Sequence, residues 1–110
     1  MKSEVPGHTD AERQFRGQLR TVLRNLERAI EDLLENFWEE PLRRHAYEVA
    51  SVLLNGCKAY GYLELASVVR AMTSLLDLRM EEVLTLKDPL KEKFKELISL
   101  SKEMAEILAA

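Results

Sequence analysis

Few side chains in this sequence are of a type and spacing that could support catalysis or bind a metal. The chain contains two histidines, His8 and His45, and one cysteine, Cys57. Structural zinc sites need several Cys or His ligands at short spacing, and no such ligands lie near Cys57. The sequence therefore predicts no metal site and no cofactor, and it predicts that Cys57 is a small buried apolar side chain.

Phosphate-binding loops and convergent carboxylates are also missing from the sequence. Gly56 and Gly61 fit neither the Walker pattern nor the dinucleotide-binding pattern. The adjacent pairs Glu39-Glu40 and Glu81-Glu82 diverge on a helix, because neighbouring residues point about 100° apart. No convergent polar site can be assembled, so we expect a protein-docking module rather than an enzyme.

The most informative segment runs from residue 51 to residue 65, Ser-Val-Leu-Leu-Asn-Gly-Cys-Lys-Ala-Tyr-Gly-Tyr-Leu-Glu-Leu. It resembles the signature of histidine phosphotransfer (HPt) domains, especially the N-terminal phosphotransfer domain of chemotaxis-type histidine kinases. In that family a helix carries His-x-Leu-Lys-Gly and two small residues. An aromatic-Gly-aromatic turn then leads to a helix that opens with Glu-Leu. The matching residues here are Leu53, Gly56, Cys57, Tyr60, Gly61, Tyr62, Glu64 and Leu65.

Three positions depart from the family's motif. Ser51 stands at the place of the phosphorylated histidine, Leu54 at that of the lysine and Asn55 at that of the glycine. An unactivated serine hydroxyl is a weaker nucleophile toward an aspartyl phosphate than an imidazole nitrogen. Loss of the lysine removes a positive charge that would offset the phosphoryl group. The asparagine side chain occupies space that the phosphoryl group and a partner would need. The resemblance therefore implies a domain that has kept the HPt fold and lost the reaction.

The resemblance also implies a docking surface. In the family, the side of the second helix that carries the histidine, with part of the first helix, binds the receiver domain of a response regulator. We expect this chain to bind a receiver domain or a histidine kinase component there without carrying phosphate. The residues opposite the apolar stripe of this helix are Arg44, Tyr47, Glu48, Ser51, Leu54, Asn55 and Lys58. Tyr47 and Leu54 are expected to be exposed anchors, although isolated surface apolar residues are also common without a role.

Two other functions are compatible with the sequence. One is an active phosphorelay protein that uses His45, or a serine, as its acceptor. His45 lies six residues before Ser51, which is about 240° round a helix, so it projects from a different face. The other is a generic helical dimerisation module, for which Met80, Val83 and Leu84 are the residues expected at the interface.

A long first helix is predicted to support this motif. The run Thr9-Asp10-Ala11-Glu12 has the form of a capping box, with the glutamate three residues after the threonine. Residues 1–8 are predicted to be a flexible tail, and residues 9–110 one HPt-like domain. Apolar residues then recur at steps of three and four and predict one buried stripe: Phe15, Leu19, Val22, Leu23, Leu26, Ile30, Leu33, Leu34 and Phe37.

Proline and glycine separate the other predicted helices. Pro41 begins the second helix, and Gly61 ends or bends it. Asp88 caps the last helix, with Pro89 at its first position. The segment 78–86 could extend the third helix, form a short helix or form a connection. The predicted buried residues are Leu42, Ala46, Val49, Ala50, Leu53 and Cys57 in the second helix, Leu63, Leu65, Ala66, Val69, Met72 and Leu76 in the third, and Leu90, Phe94, Leu97, Ile98, Met104 and Leu108 in the last.

These patterns predict an all-α antiparallel four-helix bundle, with a possible additional short helix around 78–86. The resemblance implies that the bundle is of HPt type. The composition agrees, because 110 residues with 46% hydrophobic and 32% charged side chains are typical of one folded domain. The net charge of -3, with both signs interleaved, argues against nucleic-acid binding. A single cysteine and the lack of a signal peptide or membrane span favour the cytoplasm.

Overall fold

The computed structural model describes residues 10–109, and every regular element in that range is a helix. The predicted all-α class is therefore confirmed for this part of the chain. The helices are α1 (Asp10–Glu35), α2 (Glu40–Ala59), α3 (Leu63–Leu76), α4 (Met80–Leu86) and α5 (Asp88–Ala109). The predicted tail 1–8, which includes His8, and the predicted cap Thr9 lie outside the described residues.

The apolar stripe of α1 packs as predicted over most of its length. Its central residues are almost completely buried, and those at its edges pack partly against the same core. The fully buried residues are Leu19, Leu23, Leu26, Ile30 and Leu33.

The prediction that Phe37 continues this stripe is wrong. The helix ends at Glu35, and the amide of Trp38 donates to the carbonyl oxygen of Leu33 at 3.0 Å, which turns the chain away from the helix axis. Phe37 and Trp38 both have positive φ angles, of 57° and 60°. This left-handed turn leaves Phe37 84% exposed and carries Trp38 into the core, where it is 4% exposed.

Trp38 joins the α1–α2 turn to the end of α3. Its Nε1 donates to Leu78 O at 3.0 Å, and its ring centroid lies 6.3 Å from that of Phe94 in α5. Arg43 in α2 donates from Nη1 to Leu76 O at 2.9 Å. The second hydrogen bond satisfies the carbonyl group of the last residue of α3, where a helix has no internal donor, and the first satisfies a carbonyl group two residues further on.

Gly61 ends α2, which is one of the two predicted outcomes. Its φ angle is 78°, in the left-handed region that favours glycine. The amide of Tyr62 donates to Cys57 O at 2.8 Å, and the amide of Gly61 donates to Lys58 O at 3.3 Å. Together these bonds form a Schellman motif, which reverses the chain into α3.

The predicted buried sides of α2 and α3 are confirmed, with Leu63 as the exception. Leu63 is the first residue of α3 and is 69% exposed. It lies two residues from the buried Leu65, or about 200° round the helix, and so points away from the core. The other predicted residues of both helices are buried or pack partly against the core.

The four long helices contact one another in a ring. Helix α1 contacts α2 and α5, and α3 contacts the same two helices. Glu27 pairs with Lys102, and Arg20 pairs with Glu106 further toward the start of α1, so α1 and α5 run in opposite directions. These contacts are compatible with the predicted antiparallel four-helix bundle. Its HPt type stays a prediction.

The segment left open by the sequence forms the short helix α4. It has no buried residue, and among the helices it contacts only α5. Helix α5 begins one residue earlier than predicted, because the amide of Lys91 donates to Lys87 O at 3.1 Å. Asp88 therefore lies in the first turn of α5 rather than at its cap. The predicted core residues of α5 are buried or pack partly against the core.

Candidate docking surface

Five of the seven residues predicted to form the docking surface are exposed on α2. These five are Arg44, Tyr47, Glu48, Asn55 and Lys58. Ser51, which occupies the position of the family's histidine, is half-buried among them. The surface therefore presents basic, acidic and uncharged polar side chains around the half-buried Ser51.

The expectation that Leu54 is an exposed anchor needs correction. Leu54 is half-buried and packs against the hydrophobic core. It follows the fully buried Leu53 by one residue, so it lies about 100° from the centre of the buried side and at its edge. Of the two expected anchors, only Tyr47 is exposed, with 37% of its surface accessible.

His45 lies on another part of α2. It is exposed and lines an open groove between α1 and α2, which also includes Arg28, Asp32 and the exposed Val52. Glu48 lines this groove and also belongs to the predicted docking surface. Ser51 is not among the residues that line this groove.

The small residue at Gly56 is required by an aromatic side chain of α1. A Cβ atom at this position would lie 2.7 Å from Phe15 Cζ and still closer to Phe15 Cε1. The Phe15 ring lies 5.3 Å from that of Tyr60 and 5.9 Å from that of Tyr62, measured between centroids. The aromatic-Gly-aromatic turn therefore packs on α1 beside Gly56. The sequence did not predict this contact, although it placed Phe15 on the buried stripe.

A cluster of charges lies at the start of α2. Arg43 donates two hydrogen bonds of 2.8 Å to the carboxylate of Glu40, and Arg44 approaches the same carboxylate at 3.3 Å. The hydrogen bonds from Arg43 lower the pKa of Glu40 from 4.5 to about 2, and those of Arg44 act in the same direction. The same pairing raises the pKa of Arg43. This cluster ties Arg44 to the first turn of α2, next to the predicted docking surface.

Cys57 is buried, as predicted, and burial raises its pKa from 9.0 to about 11. Because the thiolate is the reactive form, this cysteine is a packing residue under ordinary conditions. Among residues 10–109 no group of three or more His, Cys, Asp or Glu side chains comes together as a metal site. Within the same range, no helix combines the length and apolar character needed to cross a membrane.

Comparisons with other proteins give no relative from which a function could be transferred. No protein-family model matches the chain, and neither a curated protein nor a solved structure matches it significantly.

Proposed function

We propose that this chain is an HPt-like signalling domain without the phosphorylatable histidine. On this proposal it binds a receiver domain of a response regulator, or a histidine kinase component, through α2 in the cytoplasm. It is a docking protein and not an enzyme. The observation that carries the proposal is the position of Ser51, which is half-buried on α2 among five exposed residues of the predicted docking surface.

The contacts between helices support an HPt-type bundle. The ring formed by α1, α2, α3 and α5 has the helix order expected for that fold. The helix that carries Ser51 ends in the Tyr60-Gly61-Tyr62 turn, and the turn packs on Phe15 of α1. Helix α4 is an addition between the third and last helices of the bundle, and it leaves the outer side of α2 uncovered, because it contacts only α5.

The chemistry of the α2 surface supports binding without phosphate transfer. A serine hydroxyl needs an adjacent general base to become a nucleophile at neutral pH. His45 does not share the face of Ser51, and the half-buried Leu54 supplies no positive charge to a phosphoryl group. The exposed Tyr47, Arg44 and Lys58 can still make the aromatic and charged contacts that anchor protein interfaces.

A restoration experiment tests the proposal. The triple variant Ser51→His, Leu54→Lys, Asn55→Gly rebuilds the family's motif on α2. Lysine at position 54 can extend its charged end to solvent from a half-buried site. Wild-type and variant chains would be incubated with a panel of receiver domains that have been labelled with radioactive acetyl phosphate. We expect acid-labile label on the variant and none on the wild type.

The controls separate an HPt-like surface from the alternatives. A second variant that adds His45→Gln to the three substitutions should keep the label of the restored protein, because the imidazole introduced at position 51 is the acceptor by design. Label on the wild-type chain that disappears with His45→Gln would establish an active phosphorelay protein and refute the proposal. A folded triple variant that accepts no label from any receiver, together with a wild type that binds none, would also refute it.

A further inference from the structure

An apolar patch is exposed at the end of the molecule where α1 finishes. Phe37, Met80 and Leu84 are 84%, 45% and 57% exposed and line one depression with the half-buried Leu34 and Val83. We call these five residues the apolar patch. Large side chains exposed together in this way commonly mark an interaction site. The left-handed backbone at Phe37 is a further cost for an aromatic residue that contributes almost no burial.

The apolar patch continues into a groove between α1 and α5, since Leu34 and Lys91 line both. The two walls of the groove carry opposite charges. The wall on α1 is an acidic ridge, formed by Glu27, Glu31 and Glu35, and the wall on α5 is a basic ridge, formed by Lys91, Lys95 and Lys102. The acidic residues are spaced by four, so they lie along one side of α1.

The charges of this face are not all paired across the groove. Lys102 Nζ lies 2.6 Å from Glu27 Oε1 at the end distant from the apolar patch. Within the described residues, the remaining members of the two ridges form no salt bridge with each other. Glu35 is the last residue of α1, and Lys91 lies in the first turns of α5. Both positions oppose the helix dipole, which favours cations at a C-terminus and anions at an N-terminus.

We propose that the face formed by α1, α5 and the apolar patch binds a second copy of this chain. Consider a twofold axis that runs parallel to α1 between two such faces. This axis places the α1 side of one face opposite the α5 side of the other, and it leaves every residue at the same position along the helix direction. The acidic ridge of one copy then faces the basic ridge of the other, and the apolar patch faces its own equivalent. One symmetric contact therefore satisfies both the charges and the exposed apolar side chains.

Another arrangement of the same faces is unfavourable. A twofold axis perpendicular to α1 would place acidic ridge against acidic ridge, and it would leave each apolar patch against the opposite end of its partner. The predicted docking residues lie on α2, which contributes no residue to this face and does not contact α5. The inference is independent of the proposed function.

Two charge-reversed variants test the dimer. One carries Glu31→Lys and Glu35→Lys, and the other carries Lys91→Glu and Lys95→Glu. All four residues are exposed, and reversal at Glu35 and Lys91 agrees with the helix dipoles, so both variants should fold. Molecular mass would be measured by size-exclusion chromatography with light scattering, at several concentrations in low and high salt, with helical content checked by circular dichroism.

We expect the wild-type mass to approach twice the 12.7 kDa of one chain as concentration rises and to fall in high salt. Each variant alone should keep the mass of one chain, because its charges outside the Glu27–Lys102 pair then all have the same sign on both ridges. An equal mixture of the two variants should regain the mass of two chains. The matched control Glu64→Lys, Arg70→Glu reverses two exposed charges on α3, away from this face, and should dimerise like the wild type.

The apolar patch has its own test in the same measurement. Leu84→Ser removes an exposed side chain from a helix with no buried residue, so it should weaken dimerisation and leave the fold unchanged. The proposal is overturned by a wild type that is monomeric throughout, by variants that dimerise alone like the wild type, or by a mixture that does not associate.

Discussion

Because Phe15 packs on Gly56, we expect the effect of Gly56→Ala on the free energy of unfolding to change sign when Phe15 is removed. Gly56→Ala places a methyl group 2.7 Å from Phe15 Cζ, well inside an ordinary van der Waals contact. The Phe15 ring packs against the rings of Tyr60 and Tyr62, so a shift of this ring changes both contacts. Overpacking of this kind costs about 1–3 kcal/mol. Alanine in place of a helical glycine contributes about 1 kcal/mol in the other direction.

The net expectation is that Gly56→Ala lowers the free energy of unfolding by about 1 kcal/mol in the wild type. In a Phe15→Ala background the obstruction is absent, and the same substitution should raise the free energy of unfolding by up to about 1 kcal/mol. The four proteins form a double-mutant cycle with a coupling energy of about 2 kcal/mol between the two sites.

Urea denaturation followed by circular dichroism measures each of these values. Comparable slopes in the four transitions would show that the substitutions change stability rather than the extent of unfolding. If Gly56→Ala stabilises the protein equally in both backgrounds, Phe15 does not pack on Gly56 as described. The packing of the aromatic-Gly-aromatic turn on α1 would then need revision.

Three further predictions concern the ends and the interior of the bundle. Trp38→Phe keeps a ring near Phe94 but removes the donor to Leu78 O, so urea denaturation should show a loss of about 1 kcal/mol, and no loss would contradict the hydrogen bond. With a pKa of about 11, Cys57 is only about 0.1% thiolate at about pH 8, so its reaction with a disulfide reagent should be far slower in the native than in the unfolded chain. Because the pKa of Glu40 falls from 4.5 to about 2 on folding, its ionised form contributes stability above pH 4.5 that is lost toward pH 2. The difference in urea midpoint between about pH 6 and about pH 3 should therefore be smaller in Glu40→Gln than in wild type, and equal differences would contradict the role of Arg43.

The helices could be predicted because their signals are local. Spacings of three and four placed the buried residues, Pro41 and Pro89 marked helix starts, and Gly61 marked a helix end. The end of α1 carries no such signal, because a phenylalanine fills the left-handed position where glycine is usual. The predicted stripe of α1 therefore continued to Phe37, and the burial of Trp38 was not predicted.

The positions of surface residues were harder to predict, because they depend on how helices pack. The spacing of Ser51 and His45 predicts different faces of α2 from the sequence alone. The edge of the buried side at Leu54, by contrast, depends on the neighbouring helices. In the sequence, the acidic ridge cannot be distinguished from the charged, solvent-exposed side of any amphipathic helix. Only the packing of α1 beside α5 brings it next to lysines.

The proposed binding of a receiver domain to α2, without phosphate on the chain, can be tested by a nuclear magnetic resonance titration. The isotopically labelled chain would be titrated with each receiver domain of the panel, and phosphate on the chain would be assayed in the same samples. We expect amide shifts centred on Tyr47, Ser51 and Lys58, with no phosphate on the chain. Tyr47→Ala should weaken these shifts, and the matched control Leu63→Ala should leave them unchanged. Shifts centred on a different face, no shifts with any receiver, or acid-labile phosphate on His45 would contradict it.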